Sequence, residues 1–228
     1  MIGFIGAMQV ETEGIIAMMT KTASKTYAGI TYTTGLLGDK EIVVATCGIG
    51  KVNAAVCAQC MIFMYQPEVI INTGVAGSLS NELNIGDIAL GCCSIQTDMD
   101  TSPVGDPLGL ISGINLIELP CDKDTVAKLE AAAKSLGIQY QIGKISTGDQ
   151  FVNSAERKAF LQETFGCIAC EMESGAMAHV CLLNGVKFAV IRSISDKADN
   201  SSHMDYSEFV KIAADNSIRM VKAFVEEA

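Results

Sequence analysis

Residues 167–196 of the chain read CIACEMESGAMAHVCLLNGVKFAVIRSISD, a run in which short apolar segments flank a helical pattern. The apolar runs at 167–170 and 187–194 are typical of buried strands, and residues 174–183 between them carry apolar side chains at helical spacing. A strand, a helix and a strand in this order predict an α/β fold.

Charged residues stand at the ends of both predicted strands. Glu171 and Glu173 lie where the first strand gives way to the helix, and Asp196 comes just past the second strand, close behind Arg192. Ligands bind at strand ends in open α/β sheets, and ionised groups beside core strands are costly unless they have partners. These residues therefore predict a polar site in an apolar scaffold, although the two glutamates could instead simply favour the positive end of the helix dipole.

The composition bounds the class of protein. The chain has 228 residues, 49% of them hydrophobic, and a formal net charge of −10 at pH 7. This length suits one large domain over residues 1–228, and no repeat, linker or low-complexity segment divides it. The acidic balance argues against nucleic acid and anionic membranes as partners, because both are bound by an excess of lysine and arginine. The most apolar later run, residues 52–65, is too short to span a bilayer.

The nine cysteines bear on the redox state of the compartment and on whether the chain binds a metal ion. Residues 1–8 hold no lysine or arginine, and Glu11 follows too soon for a signal peptide, so we expect free thiols in a reducing, cytoplasmic compartment. Two Cys-x-x-Cys pairs, at 57–60 and 167–170, could on paper form a four-thiolate zinc site. Each pair lies in an apolar segment rather than a tight turn, which favours buried thiols without metal, and we expect no cofactor.

The rest of the chain alternates strands with helices. Strands are predicted at 2–7, 30–36, 41–47, 69–72, 87–97 and 138–146, and helices at 14–20, 52–65, 122–136, 156–165 and 207–225. Between them, the irregular loop that begins at Asp98 and ends at Gly109 is long enough to suggest a function.

The glycine-rich segments do not form a standard phosphate loop. Gly3 and Gly6 lack the Gly-x-Gly-x-x-Gly spacing of dinucleotide sites. The segment at 48–51 ends in Gly-Lys, but Ala45 stands where the first glycine of a Walker loop should be and Val52 where its hydroxyl residue should be.

Five strand-end segments carry a resemblance to a known family. They are GAMQVE at 6–11, CGIGK at 47–51, NTGVAG at 72–77, STGDQFVN at 146–153 with EME at 171–173, and RSISD at 192–196. In this order and spacing they resemble the 5′-methylthioadenosine/S-adenosylhomocysteine nucleosidases of the nucleoside phosphorylase superfamily, over nearly the whole chain. The resemblance implies a central mixed β-sheet flanked by α-helices. It also implies hydrolysis of methylthioadenosine, adenosylhomocysteine and 5′-deoxyadenosine to adenine and the free sugar.

The resemblance also implies roles for the acids. Cleavage of an N-glycosidic bond builds positive charge on the ribose and negative charge on the base, so the site needs an acid at the purine and carboxylates near the sugar. Asp196 matches the residue that protonates adenine, and burial beside Ser195 could raise its pKa for that purpose. Glu11 matches the residue that activates water. Glu173, next to Met172, matches the residue that binds the ribose hydroxyls.

The apolar part of the site follows from the same likeness. Phe151 would stack on adenine, and the main chain of Val152 would contact the edge of the purine and recognise it. Met8, Ile49 and Tyr206 would line a slot for the 5′-alkylthio group. Without the family match, Met8, Ile49 and Phe151 would more simply be core residues.

Three assignments remain open. Arg192 could orient Glu11 or its water, which we favour, or could only form a salt bridge with a glutamate. Val75 stands where many relatives carry a serine near the water, so help from that hydroxyl is lost or replaced. Glu13, close to Glu11, is a rival base.

Two rival functions share the fold. Phosphorolysis would need arginine forks or several backbone donors for phosphate, and of the three arginines only Arg192 lies in a motif, so water is favoured. If the chain were a non-catalytic adenosine binder, we would expect the catalytic carboxylates to be lost, yet Glu11, Glu173 and Asp196 are all present.

The resemblance also implies a homodimer whose partner loop, here residues 98–109, closes the 5′ pocket. The preferred nucleoside stays open, because an alkylthio slot separates homologues by only about 1–3 kcal/mol per methylene.

Overall fold

The structure is a computed structural model that describes residues 1–200 and 202–227, with side chains described for 1–200 and 206–226. Within these residues lie ten strands and six α-helices. The strands are β1 (Ile2–Gly6), β2 (Thr20–Tyr27), β3 (Ile30–Leu37), β4 (Lys40–Thr46), β5 (Val69–Ser78), β6 (Ile88–Gln96), β7 (Glu118–Pro120), β8 (Tyr140–Thr147), β9 (Cys167–Glu171) and β10 (Lys187–Asp196). The helices are α1 (Gln9–Met18), α2 (Lys51–Tyr65), α3 (Lys123–Ser135), α4 (Ala155–Phe165), α5 (Ser174–Asn184) and α6 (Ser202–Glu227).

The strands form one mixed sheet that partly closes on itself. β1 pairs in parallel with β4 and β5, and β5 pairs in parallel with β10. β10 is antiparallel to β6, β6 is parallel to β8, β8 is parallel to β9, and β9 returns antiparallel to β5. These pairings close a ring of five strands, and β1, β4, β3 and β2 extend the sheet outward from β5. The predicted α/β fold with a central mixed sheet is confirmed.

Helices cover both faces of the sheet. Apolar side chains of α2 and α5, such as Cys57, Met61 and Met177, belong to one buried cluster. Those of α3 and α6, such as Leu129 and Phe224, belong to a second cluster on the other side. The sheet is therefore apolar on both faces, which is why its central strands are near-continuous apolar runs.

Several predicted boundaries need correction. β5 and β10 run beyond the predicted 69–72 and 187–194, because each continues to pair with the other as far as Gly77 and Asp196. Asp196 therefore belongs to β10 instead of following it, with a change of register between Ile194 and Asp196. Helix α1 begins at Gln9, and α6 begins at Ser202, both about one turn earlier than predicted.

Two strands were missed. Every residue of β2 is exposed, so this edge strand shows no apolar alternation, and it is held to β3 by backbone pairing and by hydrogen bonds between hydroxyl side chains such as Ser24 and Thr33. β7 has three residues and pairs with β6, too short for a periodic signal.

The two Cys-x-x-Cys pairs lie in different elements, one on α2 and one in β9, and all nine cysteines are free. Among the described residues, no group of three or more His, Cys, Asp or Glu side chains is placed to hold a metal ion. No helix in the described part of the chain has the length and apolar content needed to cross a bilayer.

Candidate active site

A cleft opens where β1, β5 and β10 end. Its empty volume is about 510 Å³, part of it open to solvent, which suits a small-molecule ligand. Ten of the twelve residues that the sequence proposes for the site line this cleft: Met8, Glu11, Ile49, Val75, Phe151, Met172, Glu173, Ser195, Asp196 and Tyr206. The exceptions are Arg192, which is buried behind the cleft, and Val152, which borders an adjoining hollow.

Glu11 lies in the first turn of α1, and its side chain turns back toward the end of β1. Its Oε2 accepts hydrogen bonds from the backbone N–H groups of Ala7 at 2.7 Å and Met8 at 2.8 Å. Its Oε1 accepts from the N–H of Val75 at 3.0 Å, and the residue is 2% exposed. Burial raises the pKa of Glu11, although Arg192 and the three backbone donors oppose the rise. The carboxylate is thus fixed in place and more basic than an exposed glutamate.

Two glycines make room for this carboxylate. A Cβ atom at Gly74 would lie 2.4 Å from Glu11 Oε1, and one at Gly6 would lie 3.1 Å from the Cβ of Glu11. The same Gly74 position is 2.5 Å from Arg192 Nη1. Glu11 and Arg192 therefore approach each other over a strand position that has no space for a side chain.

The rival base Glu13 lies elsewhere. It is exposed, and it borders a separate hollow together with Thr31 and Thr33 of β3. Of the two glutamates of α1, only Glu11 reaches the cleft.

Glu173 is the residue that precedes α5. Its Oε1 accepts a hydrogen bond from the Gly50 N–H at 2.8 Å, at the start of α2, and its Oε2 lies 3.6 Å from Arg192 Nη2. The residue is 4% exposed. Burial, together with the nearby carboxylate of Glu171, raises the pKa of Glu173 to about 7, and Arg192 opposes the rise. Near neutral pH, Glu173 is therefore present in both its protonated and its ionised form.

Arg192 is completely buried in β10. Its Nη2 donates to Glu171 and to the side-chain oxygen of Asn72. Its ion pairs are with Glu171 and Glu173 rather than with Glu11. Burial opposes its charge, but these carboxylates and Glu11 outweigh that effect and raise the pKa of Arg192. Its Nη1, on the side of Glu11, has no protein hydrogen-bond partner.

Glu171, the last residue of β9, belongs to the polar site that the sequence predicts, but the sequence assigned it no individual role. Its carboxylate accepts hydrogen bonds from Thr147 Oγ1, from Ser174 Oγ and N–H, both at 2.8 Å, and from the Glu173 N–H at 3.0 Å. Thr147 and Ser174 are themselves buried. Glu173 and Ser174 are neighbours of Glu171 in the chain, at the start of α5, whereas Thr147 lies on β8, 24 positions away, so only the fold could reveal that contact.

Asn72 was also missed, although a sequence signal for it exists. It lies completely buried in β5, where it accepts from Arg192 and donates through Nδ2 to the backbone oxygen of Ile5 at 2.9 Å. A polar residue inside an apolar strand must have a partner, and this requirement could have pointed to Arg192.

Asp196 borders the cleft from the end of β10 and is 2% exposed. Its Oδ2 accepts a hydrogen bond from Ser195 Oγ at 2.9 Å, and its Oδ1 accepts from the N–H of Ala198 at 2.9 Å. A Cβ at Gly77 of β5 would lie 2.9 Å from Oδ1, so this glycine leaves the carboxyl group its space. The predicted burial beside Ser195 is confirmed.

The apolar residues line the mouth of the cleft. The Tyr206 hydroxyl lies 3.1 Å from Met8 Sδ, and the rings of Tyr206 and Phe151 meet edge to face at 5.6 Å. Ile49 is 53% exposed and Phe151 is 47% exposed. The alternative that these two are core residues is therefore wrong for both.

Val75 and Val152 complete the predicted set. The side chain of Val75 packs against Ala213 and Ala214 of α6, so an apolar wall stands where a serine was considered. Val152 borders a hollow of about 240 Å³ that shares Phe151, Met172 and Asp196 with the main cleft.

The loop of residues 98–109 is tied to the rim of the cleft at its first residue. Asp98 pairs with Lys51 at 2.6 Å and accepts from the N–H of Asp149 at 3.0 Å. Asp149 in turn accepts from the N–H of Lys51 at 2.8 Å, at the start of α2. The loop lines no part of its own chain's cleft, and Val104 in its short 3-10 helix is 82% exposed.

Comparisons with known proteins agree over the whole length. The model of the phosphorylase superfamily matches residues 1–226. A 5′-methylthioadenosine/S-adenosylhomocysteine nucleosidase from Shewanella halifaxensis is 40% identical over 228 residues, with 99% of each chain covered. The solved structure of the nucleosidase of that name from Neisseria meningitidis, in complex with methylthio-immucillin-A, matches with a TM-score of 0.96 at 33% identity, covering 100% of this chain and 99% of that one. The futalosine hydrolase of Helicobacter pylori matches with a TM-score of 0.96 at 35% identity, covering 100% and 97%.

Proposed function

This chain belongs to the phosphorylase superfamily, among the 5′-methylthioadenosine/S-adenosylhomocysteine nucleosidases, and we propose that Glu11, Glu173 and Asp196 carry out its reaction. The reaction is hydrolysis of the N-glycosidic bond of methylthioadenosine or adenosylhomocysteine, which releases adenine and the free thioribose. The observation that supports these roles most directly is that all three carboxylates border one cleft of nucleoside size.

The charges of the cleft fit the transition state. As the bond to adenine lengthens, ribose becomes positive and adenine negative, so carboxylates on the sugar side stabilise the first and a proton on the base neutralises the second. Glu173 faces the developing cation and accepts from the ribose hydroxyls. Asp196, whose two oxygens are held by Ser195 and the Ala198 N–H, presents its carboxyl group to the purine and supplies the proton.

Glu11 takes the proton of the attacking water. Its raised pKa makes it a better base, and its three backbone donors fix the direction of the carboxylate. Arg192 Nη1, buried without a protein partner next to Glu11 Oε1, is a suitable second contact for that water. This arrangement gives Arg192 the role of orienting the water while its other nitrogen pairs with Glu171.

Phosphate is a poor nucleophile for this cleft. No lysine or arginine is found among the described residues that line it, whereas Glu11, Glu173 and Asp196 are all there. Arg192 is buried and already paired with carboxylates. A phosphate dianion would be repelled by the acids and would lack the arginine fork that usually binds it.

The sugar product tests hydrolysis. Purified protein is incubated with methylthioadenosine in the presence and in the absence of phosphate, and the products are identified by mass spectrometry. We expect methylthioribose in both cases, at the same rate. Formation of methylthioribose 1-phosphate would assign the protein to the phosphorylases, and tight binding of adenosine without any product would assign it to the binders.

The 5′ substituent is the part of the substrate that the cleft leaves most open. Met8, Ile49 and Tyr206 present an apolar wall there, and Ile49 is half exposed, which favours methylthioadenosine over a charged 5′ group. Since a futalosine hydrolase has a closely similar structure, the comparison of kcat/KM should include methylthioadenosine, adenosylhomocysteine, 5′-deoxyadenosine and futalosine. A higher value for futalosine than for methylthioadenosine would contradict the assignment of the slot.

A homodimer would cover the apolar surface beside the cleft. On α2, Val52 is 75% exposed and Phe63 is 81% exposed, and α5, which packs beside α2, exposes Leu182 and Leu183. We propose that a second copy packs on this surface and that its residues 98–109 close the mouth near Ile49.

Light scattering after gel filtration tests the dimer with the wild type and Phe63→Glu. We expect a dimer for the wild type and a monomer with lower turnover for the variant. A fully active monomer would contradict the role of the partner loop.

A further inference from the structure

Glu171 is a buried carboxylate to which the reaction described above gives no role. Only 2% of its side chain is exposed. Donors from Thr147, from Ser174 and from the Glu173 backbone surround its two oxygens, in addition to Arg192. Donors on both oxygens hold the side chain in one orientation.

This fixed carboxylate determines the position of Arg192. Arg192 Nη2 is held by Glu171 on one side and by Asn72 on the other, and Asn72 is itself bound to the backbone of Ile5 at 2.9 Å. The remaining terminal nitrogen, Nη1, is buried and unpartnered, and it borders the Gly74 position opposite Glu11 Oε1. The guanidinium group is planar and rigid, so fixing Nη2 also fixes the direction in which Nη1 donates.

We infer that Glu171 is a positioning residue: it holds Arg192 so that Nη1 faces Glu11 and the attacking water, and it keeps a fixed negative charge beside Glu173. The inference rests on the roles proposed above for Glu11 and Glu173. Glu171 would act through these two neighbours, without a bond to the reacting atoms.

The negative charge that Glu171 keeps beside Glu173 affects how kcat/KM depends on pH. The titratable and charged groups that face Glu173 among the described residues are Glu171 on β9, Arg192 on β10, Glu11 on α1, Tyr206 on α6 and Cys47 after β4. After burial, Glu171 is the largest cause of the raised pKa of Glu173. If ionised Glu173 is the active form, kcat/KM falls as the pH drops through that pKa, and Glu171 determines where the fall occurs.

The variants Glu171→Gln and Glu171→Asp separate the effect of Glu171 on the position of Arg192 from its effect on the pKa of Glu173. Glu171→Gln removes the charge, so the acid limb of kcat/KM against pH should move to lower pH by about one unit, the size expected for a close like charge. Its plateau kcat should fall about a hundredfold, because Arg192 is no longer held. Glu171→Asp keeps the charge but withdraws it by one methylene, so kcat should fall while the acid limb stays near its wild-type pH. As a control, Glu118→Gln removes a carboxylate that pairs with Lys144 outside the cleft, and it should change neither quantity.

A readout without turnover makes the test independent of the proposed reaction. The carboxyl carbon of Glu173 is titrated by NMR in protein labelled with ¹³C-glutamate, and its signal is assigned with Glu173→Gln. Its pKa should be lower in Glu171→Gln than in the wild type. An unchanged NMR pKa together with an unchanged acid limb would overturn the inference, and so would full turnover in folded Glu171→Asp if Glu171→Gln does not fold. A wild type that hydrolyses no nucleoside would instead refute the proposed function, while the NMR titration would still decide the effect of Glu171 on Glu173.

Discussion

The substitution Glu11→Gln tests the assignment of the base most directly. A glutamine has nearly the shape of glutamate but cannot take a proton from water near neutral pH. Loss of a positioned general base typically costs about 10²–10⁴-fold in rate. We therefore expect kcat for methylthioadenosine to fall at least about a hundredfold.

The hydrogen bonds of Glu11 show what else the substitution changes. Three backbone N–H groups, those of Ala7, Met8 and Val75, point at its two oxygens. A glutamine has only one acceptor oxygen, so its amide group must face at least one of these donors. One unpaired buried donor costs about 1–3 kcal/mol of stability. In a chain of 228 residues this lowers Tm by roughly 2–4 °C per kcal/mol, so the variant should still be folded in the assay.

The assay follows adenine release under saturating methylthioadenosine, with Tm measured on the same samples. Glu13→Gln is the matched control, because Glu13 is exposed on the same helix. Glu13 lies outside the cleft, and an exposed substitution usually changes the free energy of unfolding by about 0.5 kcal/mol or less, so the rate should stay within about twofold of the wild type. Near-normal turnover in folded Glu11→Gln, or a large loss in Glu13→Gln, would refute the assignment of the base.

Three further predictions concern the other side chains of the cleft. Asp196→Asn cannot donate the proton to adenine, so kcat should fall by about a hundredfold or more, while calorimetry should still detect binding of methylthioadenosine; normal turnover would remove Asp196 from the reaction. Because the pKa of Glu173 is raised from 4.5 to about 7, folding favours its protonated form, and its contribution to stability is present below pH 4.5 and lost as the pH rises through 7. Glu173→Gln should therefore have a higher Tm than the wild type at pH 8 but not at pH 4.5, and its turnover should be much lower. The same difference in Tm between variant and wild type at both pH values would argue against the raised pKa of Glu173. Met8→Ala shortens the wall that Met8 forms with Tyr206, so kcat/KM should fall about tenfold for methylthioadenosine, within the range of about 1–3 kcal/mol per methylene, and much less for adenosine; equal losses on both nucleosides would place Met8 away from the 5′ group.

The sequence predicted most of the elements because their signals are local. Apolar runs identified the buried strands, and helical spacing identified α2, α3, α4 and α5 nearly to the residue. The prediction failed where no local signal exists. β2 is polar and exposed along its whole length, and it is a strand only because its backbone pairs with β3.

The ends of β5 and β10 illustrate the same limit. The apolar run of β5 weakens after Asn72, where Thr73 and Gly74 follow, yet the strand continues to Ser78 because β10 lies alongside as far as Gly77 and β9 pairs with its last two residues. That extension carries Asp196 to its position beside Gly77. Strand β5, more than a hundred residues earlier in the chain, thus determines the position of Asp196, the proposed acid.

By itself, the sequence determined the fold class, the family and the carboxylates that the chemistry needs, because apolar periodicity and the motifs at strand ends are written in neighbouring residues. Only the tertiary structure decided how these groups are used: that Glu11 rather than Glu13 enters the cleft, that Arg192 pairs with Glu171, and that Glu173 meets the N–H of Gly50. Those contacts join residues that are 21 and 123 positions apart. Their electrostatic effects depend on distance and burial, which exist only once the strands have brought the residues together.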